Sequence, residues 1–159
     1  MNSKIIIKTW AAIAAVIMLA PAVFAEDLAI VVNKACNMDN ISSADLAKVF
    51  KAEKLKNGDG VKYVLATQAA ESAEKKCVLE NIYKMSDSDY EKFFLQAVFA
   101  GSVAAPPKVV AGSSAVKAFI SSAPGAICYM KASDADSSVK VLKVDGKAPG
   151  DADYPLKLK

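Results

Sequence analysis

The hydrophobic positions of this chain follow two periods, and each period marks a kind of element. Leu28-Ala29-Ile30-Val31-Val32-Asn33 is apolar and β-branched almost throughout, the pattern of a central strand covered on both faces. Ala126-Ile127-Cys128-Tyr129-Met130 is a second such run, too short for an ordinary helix. Val61 to Leu65 alternates and reads as a further strand, and Val139 to Val144 as another. Helical spacing joins Leu46, Val49 and Phe50, then Tyr90, Phe93, Phe94 and Ala97, then Val116, Phe119 and Ile120. Ser42 with Asp45 and Ser86 with Asp89 supply N-caps for the first two, and Ser113 or Ser114 can cap the third. A further helix from about Ser72 to Met85 would turn Ala73, Cys77 and the Ile82 region inward.

Breakers separate these segments. Asn57-Gly58-Asp59-Gly60 and Asp145-Gly146 read as turns, and Pro106-Pro107 enforces an extended connection. Pro124-Gly125 stops the third helix, the glycine accepting the φ > 0 that such stops often need. The aromatic residues of the Tyr90 segment could form a binding platform, but their helical spacing favours core packing.

The first 25 residues change the picture of where the chain works. Lys4 and Lys8 form a positive start, Trp10 to Ala20 an apolar stretch, and Val23-Phe24-Ala25 a small-residue cleavage pattern before Glu26. A membrane anchor is the alternative, but it needs about 20 apolar residues, and Pro21 interrupts the run before Glu26-Asp27 follows. The expectation is a signal peptide over 1–25, a periplasmic location, a single α/β domain over 26–159, and no membrane insertion after cleavage. Of the net charge of +3, two lysines leave with the leader, so 18 lysines face 17 acids in what remains. That near-balance gives no footprint for nucleic acid or an anionic membrane.

There is no histidine and no arginine. Histidine triads, histidine metal sites and bidentate arginine clamps are therefore excluded, no cofactor or metal site is indicated, and a catalytic role is the weakest reading. Cys36, Cys77 and Cys128 are spaced unlike a metal knuckle or a redox pair. A Cys36–Cys77 disulfide is expected, with Cys128 in the buried run; three reduced core thiols are the competing reading.

Several segments resemble the phosphate-type substrate-binding proteins that serve ABC importers. Phe119-Ile120-Ser121-Ser122-Ala123-Pro124-Gly125-Ala126-Ile127-Cys128-Tyr129-Met130 is similar to that family's helix, "PGAIGY" turn and strand, with Cys128 in place of a glycine. Asp39 to Phe50 resembles its capped helix ending in Phe, Phe99, Gly101, Pro106 and Pro107 its "F-x-G" step before a proline pair, and Val144 to Leu156 its "VDG-x-x-P … YPL-x-R" ending, with Leu158 replacing the arginine. The resemblance implies a periplasmic-binding-protein type II-like lobe, a mixed sheet flanked by helices, with a small anion such as phosphate as ligand and a membrane transporter or receptor as partner.

Family members hold the anion at a serine- and glycine-rich "SGT" turn opening a helix. Here that junction reads Thr67-Gln68-Ala69-Ala70-Glu71-Ser72-Ala73, without the glycines, and Glu71 would repel an oxyanion. A small anion would be met by Asn33 and Lys34, the Thr67 hydroxyl, the Gln68 amide and backbone N–H groups near Ser72. Turn formation and helix capping are the alternative roles of these residues. A periplasmic protein-interaction or sensory module that keeps the fold without binding phosphate is the alternative function.

Overall fold

The computed structural model describes residues 26–159, so the expected signal peptide lies outside the described residues. The chain runs β1 (Leu28–Val32), β2 (Asn40–Ile41), α1 (Ser43–Phe50), β3 (Val64–Gln68), α2 (Ala73–Val78), α3 (Asp87–Phe99), β4 (Lys108–Val110), α4 (Gly112–Ser122), β5 (Ala126–Lys131) and β6 (Lys140–Val144). The six strands form one sheet in the order β2-β6-β1-β5-β3-β4. Four helices flank it, giving the expected mixed α/β architecture.

The two most apolar runs pair with each other at the centre. β1 lies antiparallel to β5, with Leu28 opposite Lys131 and Val32 opposite Ile127, and antiparallel to β6 on its other side. Every residue of β1 is buried, as a strand covered on both faces requires. β3 runs parallel to β5 and therefore opposite to β1, and the short edge strand β4 runs parallel to β3.

Capping follows the sequence in three helices and departs from it in one. Ser42, Ser72 and Ser86 each accept a backbone N–H three residues on, at the starts of α1, α2 and α3. α4 begins instead at Gly112, whose φ of 78° turns the chain out of β4, and Ala111 at its cap position offers no side-chain bond. Ser113 is thereby carried into the first turn, where its hydroxyl contacts Asp134. The helix expected up to Met85 stays α-helical only to Val78; a π turn over Leu79–Tyr83 follows, and Lys84 in the left-handed region ends it. One extra residue per turn brings both Ile82 and Tyr83 inward, while Ala73 stays exposed.

The second strand is displaced from its expected position. Residues 55–63 spend their backbone groups on a turn: Asn57 N–H donates to the Val61 carbonyl, Val61 N–H to Asn57 Oδ1, and Tyr63 N–H to the Leu55 carbonyl. Pairing with β5 starts only at Val64, so the strand extends through Gln68. Gly125 also acts differently from expectation, since its φ is not positive. A Cβ there would lie 1.9 Å from the Lys62 carbonyl oxygen, and the Gly125 carbonyl accepts Val64 N–H at 2.9 Å. Only glycine permits that approach.

The expected Cys36–Cys77 disulfide is corrected: all three cysteines are free and buried. Cys36 follows the carboxyl end of β1 beside Asn57. Cys77 lies toward the amino end, its thiol donating to the carbonyl of Lys157, whose ammonium pairs with Asp27 just ahead of β1. Roughly 15 Å of strand separates them, against the Cα spacing of about 4–7 Å that a disulfide spans. No helix of the described residues is long and apolar enough to cross a membrane.

The C-terminal tail clasps the start of β1. Leu28 N–H donates to the Leu156 carbonyl, Leu158 N–H to the Glu26 carbonyl, and the Tyr154 hydroxyl to the Leu28 carbonyl. Gly125→Ala should destabilise the protein by about 3 kcal/mol, because the added methyl group meets backbone rather than a movable side chain. Urea unfolding measures this, and a change below about 1 kcal/mol would contradict the close packing of Gly125 on Lys62.

Candidate functional site

The expected ligand set divides into two groups, at opposite ends of the sheet. Asn33 and Lys34 follow the carboxyl end of β1, whereas Thr67, Gln68 and Ser72 stand at the carboxyl end of β3, and these strands run in opposite directions. Val32 is level with Ile127 and Leu65 in the sheet, so Gln68, three residues beyond Leu65, lies roughly 10 Å further along. One small anion cannot touch both groups.

Each member also has local work. The Asn33 amide donates to the Ile120 carbonyl near the end of α4, and its oxygen accepts Ala35 N–H, which forms an Asx turn. Lys34 is exposed. Gln68 is buried, its amide nitrogen donating to the Tyr129 carbonyl at 3.0 Å while its backbone N–H donates to the Tyr129 hydroxyl at 3.1 Å. Thr67 shares a 2.8 Å hydrogen bond with that same hydroxyl. Ser72 accepts Lys75 N–H and donates to the Ala69 carbonyl.

Ser72 and Lys75 also stand at the Ser-x-x-Lys spacing of a serine–lysine pair, a pattern present in the sequence. The structure gives them separate partners. The Lys75 ammonium lies 2.6 Å from Asp87 and 4.8 Å above the Tyr90 ring.

Residues absent from the expected set organise this end of the sheet. Tyr129 of β5 holds both Thr67 and Gln68 and packs its ring on Phe50. Tyr83, whose hydroxyl donates to the Phe50 carbonyl, packs edge-on against Phe50 and Tyr90, and Tyr90 against Phe94. Lys75 is 94% buried on the rim of this aromatic layer, its residue only 6% exposed. No sequence signal joins Thr67 to Tyr129 across 62 positions; the pairing of β3 with β5 brings them together.

Electrostatics at the turn oppose an anion more than they favour one. Glu71 and Glu74 flank the Ser72 cap, while Lys75 is committed to Asp87, leaving exposed Lys76 as the nearby cation without an ion pair among the described residues. Behind the turn, burial pushes the hydroxyls of Tyr83, Tyr90 and Tyr129 above their ordinary range and the Cys128 thiol up to about 12.

No protein-family profile matches the chain. Solved structures do. A phosphate transport receptor of the ABC type from Vibrio cholerae aligns with 78% of this chain and 48% of its own, at 20% identity and a TM-score of 0.63. PstS from Borrelia burgdorferi aligns with 84% of this chain and 55% of its own, at 19% identity and a TM-score of 0.67. A putative phosphate ABC transporter substrate-binding protein from Clostridium perfringens, solved with bound phosphate, covers 78% and 47% at 16% identity and a TM-score of 0.63. The fold is thus of the periplasmic-binding-protein type, and the chain spans about half the length of the structures it matches.

The buried phenols and thiol predict an alkaline limit to stability. Their folded values lie above the unfolded ones, near 10 for tyrosine and 9 for cysteine, so the unfolded chain releases protons first as pH rises. Stability should be complete below about pH 9 and fall progressively above it. Urea midpoints measured from about pH 8 to pH 10.5 check this, and a flat midpoint would contradict the burial of these groups.

Proposed function

We propose that this protein is a non-catalytic solute-binding protein working as a single α/β domain over residues 26–159. The observation that carries the reading is the fold itself, which superposes over 78% of the chain on a phosphate transport receptor and on a putative phosphate ABC transporter substrate-binding protein. The solute is a small oxyanion such as phosphate, passed on to a membrane transporter. Export uses the leader over 1–25, and the working chain begins at Glu26 in the periplasm.

The binding position is the turn between β3 and α2. Thr67, Gln68 and Ser72 shape that turn, but their side chains are spent on Tyr129 and on capping. Contact with the oxyanion therefore falls to backbone N–H groups over 69–71 and 73–74, the Ser72 N–H being spent on the Ala69 carbonyl, and to the Lys76 ammonium. Asn33 and Lys34 belong to the other end of the sheet and would serve only a second, separate ligand. Glu71 weakens the site through like-charge repulsion.

A second reading keeps the fold as a periplasmic docking or sensory module. It is favoured by Leu95 and Phe99 of α3 and Val109 of the edge strand β4, which are 58%, 84% and 65% exposed.

Isothermal titration of the chain from Glu26 onward with phosphate and sulfate separates the two. The expected result is saturable heat with phosphate, tightened about three- to tenfold by Glu71→Gln through loss of one nearby charge. Absence of heat with either anion, in both proteins, would overturn the oxyanion reading. Export is checked independently: mass analysis of the full chain after expression should find a periplasmic product starting at Glu26, and an uncut cytosolic chain would refute the leader.

A further inference from the structure

A solvent-open cavity of about 340 Å³ lies along α3, between that helix, the Pro106-Pro107 connection and β4. Leu95, Val98, Pro107 and Val109 wall it with apolar surface. Its floor is different in kind, formed by Thr67, Lys75 and Tyr90, each at least nine-tenths buried. This size and this mixture, apolar walls with a few convergent polar groups, are those of small-molecule sites.

Hydrogen-bond accounting gives the floor a surplus of donors. The Tyr129 hydroxyl accepts Gln68 N–H and shares a single bond with Thr67, and when Tyr129 donates in that bond the Thr67 hydroxyl on the floor keeps its hydrogen unspent. The Tyr90 hydroxyl is buried next to the Thr67 and Tyr83 hydroxyls, yet it makes no hydrogen bond of good geometry among the described residues. The Lys75 ammonium has three donors; it forms an ion pair at 2.6 Å with Asp87 Oδ1, an oxygen that has no hydrogen bond of good geometry, and lies over the face of the Tyr90 ring. Buried donors without acceptors are costly, and an occupant bearing an acceptor relieves that cost.

The surrounding charge narrows the occupant. Asp87 already neutralises Lys75, and Glu91 stands at the cavity mouth, so a second negative charge would meet net repulsion. We propose that the cavity along α3 binds an uncharged, ring-sized organic molecule ending in a carbonyl-type acceptor, which takes up the unspent donors of Thr67, Lys75 and Tyr90. The site shares Thr67 with the β3–α2 turn but opens on its other side toward α3, and it does not rest on the oxyanion reading.

Titration of the chain from Glu26 onward by two-dimensional amide NMR tests this with three probes: benzamide, which is neutral and bears an acceptor; benzoate, which is anionic; and toluene, which lacks the acceptor. Benzamide is expected to shift residues 90–98 and 106–109 saturably, with at least about tenfold tighter binding than either other probe. Thr67→Val should weaken benzamide about fivefold or more while leaving toluene unchanged, and added phosphate should leave the benzamide shifts in place. Val109→Trp, at an exposed position, should fill the cavity and abolish binding of both.

The proposal is overturned if benzamide gives no saturable shift up to the order of 10 mM, the weakest affinity expected of a fragment this small. It is equally overturned if benzoate or toluene binds as well, or if Thr67→Val has no effect. Should Thr67→Val fail to fold, the contrast among probes together with Val109→Trp decides the matter.

Discussion

The antiparallel pairing of β1 with β5 is the constraint from which the rest of the structure follows. Both strands are apolar on both faces, so both must lie in the middle of the sheet, and their register sets every neighbouring element. With β3 parallel to β5, the carboxyl ends of β1 and β3 point in opposite directions. Loops that a parallel sheet would gather at one edge are thereby divided between two. The amino end of β1 is held by the C-terminal tail, through Leu156, Leu158 and Tyr154, so the two ends of the described chain close on the same strand.

The second organising feature is the polar layer laid against that centre. Tyr129 carries a hydroxyl into the core, where it accepts Gln68 N–H and bonds Thr67. Lys75 brings a charge nearly as deep, matched by Asp87 and stacked over Tyr90. Buried groups of this kind tolerate few arrangements, because each displaced donor or charge loses its partner without gaining water. They also concentrate unspent hydrogen-bonding capacity at one place, beside an apolar cavity. The turn expected to bind an anion carries two glutamates, while in the cavity next to it the buried cation is matched by Asp87 and hydroxyl donors line the floor.

Much of the fold was legible because it depends on local rules. The caps at Ser42, Ser72 and Ser86, the Asp145-Gly146 turn, and the inward faces Leu46-Val49-Phe50 and Val116-Phe119-Ile120 follow from spacing and from side chains that reach their own backbone. Where a local rule met a distant neighbour, the neighbour prevailed. Val61 to Tyr63 alternates like a strand, yet its backbone groups are claimed by Asn57 and Leu55. Gly125 sits after a proline as helix stops do, yet what requires it is a carbonyl 63 positions away, that of Lys62.

The sequence by itself determined the α/β class, the positions of most helices, and the exclusion of histidine- and arginine-based chemistry, because periodicity, capping and residue inventory are properties of short segments or of the whole list. Only the tertiary structure decided that Asn33 and Lys34 are parted from Thr67, Gln68 and Ser72, that Cys36 and Cys77 stand too far apart to bond, and that Thr67, Lys75 and Tyr90 share one floor. Strand direction and register set those distances. A run of apolar residues shows that a strand is buried, but it carries the same pattern whichever way its neighbour runs.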